Sequence, residues 1–385
     1  MQIVIIGSGP SSLMAATRLI LKGHKITVFD QSRSLGRKFL VAGKGGFNLS
    51  HAGSLDYLVA HYASPHMKQI VSLFDNNRLV NWLNELGVPT YVGSSGKIFP
   101  EKTIKPYMVL SKWLTWLSNK GVVFLCNSKM VDFSLNQVII QNTLSSETIT
   151  IDYDRLILGL GGASWPKTGS DGTWKVLFEK KNIHVNPFLA FNVGVNLDMS
   201  HFGFEMYQGT ILKNVIVSCG DCSKKGDVIL TRFGMIGTPI YYCNANISKK
   251  ETFFIDLKPD NTIEQLNSIF NTAKSTSFAF KKLKIPDAIK SYCKSILSKE
   301  DYVSPIKMAG FLKKLPIKAM SLRNINEAIS TVGGVSWDEL NSNLSLRKFP
   351  NLFCVGEMLD WEAPTGGFLL QGAFSTGYYV GERLF

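Results

Sequence analysis

The stretch QIVIIGSGPSSLMAATRLILKGHKITVFD, residues 2–30, decides the fold. QIVIIG is an almost unbroken run of β-branched residues, as a strand buried on both faces of a parallel sheet requires. In SSLMAATRLILKG, Leu13, Ala16, Leu19 and Ile20 share one helical face, and Gly23 stands where a helix ends in a left-handed residue. KITVFD reads as a second strand. Between the first strand and the helix lies GSGPSS, residues 7–12, a G-x-G-x-x-G turn with Ser12 in place of the third glycine. Gly7 permits the tight turn, Gly9 lets backbone approach a pyrophosphate, and the third position needs only a small residue where helix meets strand. Pro10 and Ser11 open the helix, whose free N–H groups and positive dipole end suit a phosphate. Asp30 and Gln31 close the second strand, where an acid accepts hydrogen bonds from an adenosine ribose. Strand, turn, helix, strand and acid in register predict a dinucleotide site rather than a plain structural turn.

The next segment, GRKFLVAGKGGFNLS (residues 36–50), carries four glycines and three cations, a composition suited to close backbone approach by something anionic. Near the other end, LFCVGE (residues 352–357) reads as a further buried strand, with Gly356 and Glu357 at its end, before a glycine-rich turn and a helix. Flavoproteins of the two-dinucleotide-fold group close an FAD site in this way. An acid there can hold the ribityl chain. A helix N-terminus near Gly366 and Gly367 can face the flavin N1–C2=O edge, where negative charge develops on reduction. The alternative is an ordinary βα turn with a capping helix. GLGGAS at residues 159–164 also spells G-x-G-x-x-S, but Trp165 and Pro166 follow, and proline disfavours helix at the residue before it. Gly161 and Gly162 are therefore read as backbone passing close to the first nucleotide.

The chain has 385 residues, 45% hydrophobic and 18% charged, enough to bury a large core in two or three domains. Helices are expected over 66–86 and 103–119, and a meander of short strands over 122–160. Strands return over 191–258, helices over 262–300, and a helix over 366–384 closes the chain. The expected architecture is α/β. A Rossmann-like FAD domain of the two-dinucleotide-fold type, 1–190 with 305–385, is interrupted by a β-rich domain over 191–260 and a small helical subdomain over 261–304. No run is long enough for a membrane helix, and no leader is visible, so a cytoplasmic protein is expected. The net charge of +13 leaves nucleic acid open, although the lysines are spread along the chain with only short clusters such as KKLK at 281–284. The six cysteines are scattered and make no disulfide framework.

Six ordered segments carry a resemblance: GSGPSSLMAA, GRKFLVAGKGGFNLS, LGLGGASWPKTGSDG, TRFGMIGTPIY, STVGGVSW and VGEMLDWEAPTGGFLLQGAFSTG. Together they resemble the BaiN/YhiN-like bacterial flavoproteins, in a shorter branch with GEMLDWEAPTGG, over the whole chain. The resemblance implies an FAD domain interrupted by a β-rich and a helical part. It also implies that Arg37 and Lys38 lie near the ribose and pyrophosphate, and Gly43, Gly45, Gly46 and Asn48 along the ribityl chain and ring. Many relatives carry Cys where this chain has Phe47, so a thiol chemistry at that position is not available.

Other residues weigh less. Cys219 and Cys222 form a C-x-x-C in a turn between expected strands, not at a helix N-terminus, and no second pair offers zinc a site. His51 and His201 could donate protons, but lone histidines are more often surface residues. Trp165, Trp361 and Phe368 could wall the cofactor or simply pack. The expected activity is that of an FAD-dependent oxidoreductase taking hydride from NAD(P)H and reducing a small organic substrate, for example at a conjugated C=C bond, and no residue stands out as catalytic. The alternative is a flavin-binding, RNA-modifying protein that uses its basic surface.

Overall fold

In the computed structural model, which describes residues 1–42, 46–198 and 204–384, the opening run forms the middle of a five-stranded sheet. Gln2–Ile6 lies between Arg155–Leu158 and Lys25–Phe29, with Leu352–Cys354 and Val123–Leu125 at the two edges. Every pairing is parallel. Ile3, Val4, Ile5 and Ile6 are all buried, which is why the strand shows no polar alternation. The chain leaves the sheet centre in one direction to Lys25–Phe29 and later returns on the other side at Arg155–Leu158. This makes a topological switch point at the carboxyl end of the first strand, where open α/β sheets bind ligands.

The helix Pro10–Leu21 starts with proline in its first turn and buries Leu13, Ala16 and Leu19. The closing helix, Phe368–Arg383, packs against it at glycines. A Cβ on Gly377 would stand 2.0 Å from the Ser11 carbonyl oxygen, and one on Gly381 2.5 Å from Arg18 Cβ. At the outer end Arg18 Nε contacts Glu382 at 2.6 Å. Inside, Trp113 Nε1 donates to Thr17 Oγ1 at 2.8 Å, so the helix Pro106–Asn119 is tied to the same pair.

Within the expected meander, Ser128–Phe133, Gln137–Asn142 and Thr148–Asp152 form a three-stranded antiparallel sheet, while the flanking runs join the parallel sheet. The single helix expected over 66–86 is two helices, Pro65–Leu73 and Asn76–Glu85. Asp75 caps the second by accepting from Arg78 N–H at 2.9 Å, which competes with continuation of the first.

The chain divides into two compact units, Met1–Leu189 with Ile329–Phe385, and Ala190–Ala328. The second unit holds a closed antiparallel barrel in the order Val195–Leu197, Gly234–Ile236, Cys222–Thr231, Ile211–Cys219, Thr252–Asp256, Leu315–Leu322. The helices between Ile263 and Lys313 share one core with it: Leu266, Phe280 and Ile289 cluster with Val217, Phe253 and Ile317. The segment 261–304 is therefore not a body of its own. The unit also extends to Ala328 rather than to 304, because Leu315–Leu322 pairs with Thr252–Asp256 to close the barrel. Among the described residues no helix is long and apolar enough to cross a membrane.

The glycine contact between the first and closing helices admits no side chain. Gly377→Val is expected to destabilise the protein by about 1–3 kcal/mol or more through overpacking. Urea denaturation checks this against Gly310→Ala, since a Cβ on Gly310 has nothing within 4 Å.

Candidate functional site

The carboxyl ends of the strands gather the expected residues of the first unit. Gly7 has φ 93°, and a Cβ there would stand 2.3 Å from the Gly159 carbonyl oxygen, so only glycine makes this turn. Gly9 caps the first helix without any side-chain hydrogen bond, and a Cβ on it would have nothing within 4 Å. An open space thus lies over a helix N-terminus whose first N–H groups need acceptors, as Pro10 and Ser11 begin the helix. Ser12 fits the third position because its neighbour is Gly159: a Cβ there would lie 2.1 Å from Ser12 Oγ. Ser12 Oγ is buried with no hydrogen-bond partner among the described residues.

Ser8, which the motif treats as a spacer, is the centre of a network. Its hydroxyl donates to Asp30 Oδ2 at 2.5 Å and accepts from Gly36 N–H at 2.8 Å. The Ser8 N–H also donates to Asp30 Oδ2 at 3.0 Å, and Ser32 N–H to Oδ1 at 2.8 Å. A carboxylate offers about four acceptor positions, so Asp30 retains capacity for a ligand hydroxyl. Gln31 reaches sideways instead, its Nε2 donating to the Gly169 carbonyl at 2.9 Å.

In the basic loop Lys38 makes three contacts, to Glu357 Oε2 at 2.7 Å, Ser164 Oγ at 2.9 Å and Ser170 Oγ at 3.2 Å. Glu357 Oε1 accepts from Thr331 N–H at 3.1 Å. Gly162 passes against this group: a Cβ on it would lie 2.1 Å from Thr331 Oγ1 and 3.0 Å from the Glu357 carboxyl carbon. Gly161 lies alongside, its carbonyl accepting from Trp174 Nε1 at 3.0 Å. Only a short 3-10 turn, Pro166–Thr168, follows these glycines, and Trp165 before it is left-handed with φ 60°. Arg37 is half-buried and has no partner among the described residues. Gly43, Gly45 and His201 lie outside the described residues.

The end of the loop meets the end of the chain. With its amide turned to satisfy both neighbours, Asn48 donates to the Gly46 carbonyl at 3.0 Å and accepts from Gly367 N–H at 2.5 Å. Gly367 has φ 106°, and a Cβ on it would stand 2.3 Å from the Ser50 carbonyl oxygen. Gly366 is also left-handed, with φ 119°. Ser50 Oγ donates to the buried Gln371 at 2.6 Å, a tie that no motif signals. Gly356 crosses over Ser11, where a Cβ would lie 2.4 Å from Ser11 Oγ, and its N–H donates to Thr376 Oγ1 at 2.9 Å. Thr365 Oγ1, just before the glycine pair, is buried without a partner among the described residues.

Two of the aromatic candidates, Phe368 and Trp361, are packed, and Trp165 is half-buried. Phe368 is 3% exposed, with its ring stacked near-parallel on His61 at 4.1 Å and on His51 at 5.5 Å. Trp361 is buried and donates to the Gly356 carbonyl at 2.8 Å. Phe47 is 7% exposed and meets Phe39 edge-on at 5.0 Å, so this side chain is part of the core. Cys219 and Cys222 face each other across a hairpin turn in the second unit. Burial pushes the Cys219 thiol up, and burial raises that of the nearby Cys243 further, so these sulfurs favour the unreactive protonated form. In the first unit, burial and then the charge of Asp360 raise the Glu362 carboxyl.

A parallel sheet with an open helix N-terminus at its switch point, an acid after the second strand and a glycine-paired helix start at the end of the chain is a dinucleotide-type fold, and the family to which the chain belongs makes it a flavin-dependent oxidoreductase. The chain belongs to the family described as HI0933-like protein Rossmann domain, which matches residues 1–383; these are the BaiN/YhiN-like flavoproteins, and the cofactor is FAD. It is 23% identical over 393 residues to a ribosomal RNA dihydrouridine synthase of Haemophilus influenzae, covering 97% of this chain and 96% of that one. It is 24% identical over 408 residues to a 3-dehydro-bile acid delta(4,6)-reductase of Clostridium scindens, covering 99% and 98%. Among solved structures, a 3-ketosteroid-delta4-(5alpha)-dehydrogenase of Rhodococcus jostii shares the fold, with TM-score 0.51 at 14% identity over 98% of this chain and 95% of that one.

The raised Glu362 carboxyl has a consequence for stability. Its folded pKa lies above the unfolded value, so its contribution is fully present below the unfolded pKa and is lost as pH rises through the folded one. Glu362→Gln is therefore expected to raise the melting temperature at pH 7.5 and to leave it unchanged at pH 4, which thermal scans at the two pH values check.

Proposed function

We propose that the protein takes hydride from NADH or NADPH and reduces a conjugated C=C bond of a small organic substrate. The open helix N-terminus at Gly9, ringed by the segments around Asp30, Lys38, Gly161 and Glu357, is the observation that carries the reading. Its unfilled space over N–H donors fits an anionic dinucleotide such as FAD. FAD bound there supplies hydride acceptance and donation at N5.

The residues have separate tasks in this reading. In the turn of Gly7, Gly9, Pro10 and Ser11, the N–H groups of Gly9 and Ser11 face the pyrophosphate, and Asp30, with Gln31 beside it, takes the adenosine ribose. Gly161 and Gly162 give close passage for the nucleotide. Glu357, at Gly356, accepts from the ribityl hydroxyls. Gly46 and Asn48 run along the ribityl chain and ring. The start of the closing helix, Gly366, Gly367 and the N–H of Phe368, stabilises negative charge at the N1–C2=O edge. Phe368 contributes its backbone here, since its ring is stacked on imidazoles. Both relatives' names support the choice of bond: dihydrouridine and a delta(4,6)-reduced steroid each result from saturating a C=C bond conjugated to a carbonyl.

A second reading places that bond in an RNA base. The net charge of +13 and the ribosomal RNA substrate in the Haemophilus relative's name favour it.

Purified protein is expected to be yellow, to release FAD on denaturation and to bleach anaerobically with one nicotinamide. Reoxidation by a conjugated enone supports the small-molecule reading. Gel shifts with ribosomal RNA at two salt concentrations test the second, and no shift at low salt ends it. A colourless protein that takes up no FAD overturns the proposal. Cys222→Ser is expected to leave both half-reactions unchanged.

A further inference from the structure

Arg37 and Lys38 are adjacent cations in one loop, yet their surroundings differ. An ammonium has three N–H donors and no acceptor. Lys38 has Glu357, Ser164 and Ser170 as partners, so all three of its donors are satisfied within the chain. The Lys38 and Glu357 side chains are only 27% and 20% exposed. Glu357 differs from Lys38 in what it has left. One oxygen accepts from Lys38 and the other from Thr331 N–H, and a carboxylate has about four acceptor positions. The pair therefore offers a ligand acceptors and no donors. That suits hydroxyl groups and does not suit a diphosphate.

Arg37 has the opposite character. It is half-buried, holds five donors in a rigid fork, and has no partner among the described residues. Its backbone is anchored beside the first turn, because the preceding Gly36 N–H donates to Ser8 Oγ at 2.8 Å. Ser8 lies between Gly7 and Gly9, the residues that open the helix N-terminus.

We propose that the two cations divide the work. Arg37 delivers charge and donors to the diphosphate of the bound dinucleotide, whereas Lys38 is a positioning residue that holds Glu357 as a hydroxyl acceptor for the ribityl chain. This rests on the FAD reading above and refines the expectation that Arg37 and Lys38 lie near the ribose and pyrophosphate.

The test is FAD and riboflavin affinity, measured by flavin fluorescence quenching at several ionic strengths. Riboflavin has the ribityl chain and ring but no phosphate. Arg37→Gln is expected to weaken FAD about ten- to a hundredfold, the loss of a hydrogen bond to a charged group, to flatten the salt dependence of FAD binding and to leave riboflavin unchanged. Lys38→Met and Glu357→Gln are expected to weaken both flavins in parallel and to keep the salt dependence. The double variant should be little worse than either single one, because the two act as a unit. Lys38→Met also removes an internal tie, so it should lower the melting temperature of the flavin-free protein, while Arg37→Gln should not. If Lys38→Met does not fold, Glu357→Gln carries the comparison. The assignment is overturned if Lys38→Met flattens the salt dependence, if Arg37→Gln weakens riboflavin as much as FAD, or if the Lys38 and Glu357 effects add. Failure of the wild-type protein to bind FAD refutes the FAD reading and this assignment with it. Wild-type binding with any of those variant patterns refutes the division of work alone.

Discussion

Ser11 and Gly377 touch backbone to backbone, and much of the first unit follows from that contact. A Cβ on Gly377 would stand 2.0 Å from the Ser11 carbonyl oxygen, so the closing helix can lie on the first helix only because the side chain is missing. The two ends of the chain thereby become neighbours. Gly356 is then carried over Ser11 Oγ, and Thr376 is placed to accept from the Gly356 N–H. A strand end formed near residue 355 is thus delivered to a helix N-terminus formed near residue 9.

Glycine-rich loops at strand ends have few ladder hydrogen bonds to hold them, and their backbone entropy opposes order. Side chains hold them here. Ser8 ties Asp30 to Gly36, and Lys38 ties the loop to Ser164, Ser170 and Glu357. Asn48 joins Gly46 to Gly367, and Ser50 joins the same loop to Gln371. Every partner except the exposed Gly46 is half-buried or buried, where a missing bond would cost more than in water, so the ties reinforce one another.

The parts of this architecture visible in the residues are those with local causes. The strand Gln2–Ile6, the helix Pro10–Leu21 and the strand Lys25–Phe29 follow from apolar period and from Gly7. The break at Phe74 and Asp75 was open to reading too, since Asp75 is a good cap, but the apolar period on both sides masks it. Leu315–Leu322 shows a different limit. Its pattern of buried and exposed residues is that of a strand, but its membership of the barrel depends on pairing with Thr252–Asp256 and Val195–Leu197, far away in the chain. No local pattern states a partner.

By itself the sequence determined the βαβ opening, the glycine turn, the acid after the second strand and the family. These depend on side-chain period and on where a Cβ cannot fit, and both are properties of short segments. Only the tertiary structure decided what each polar group does. Lys38 and Glu357 are 319 positions apart, and nothing in either segment says that one satisfies the other while Arg37 is left without a partner among the described residues. Phe368 likewise follows a glycine pair, and only packing shows its ring stacked on His61 and His51. Hydrogen-bond satisfaction and ring stacking are settled by what the fold brings within reach, so they become readable only when the chain has closed on itself.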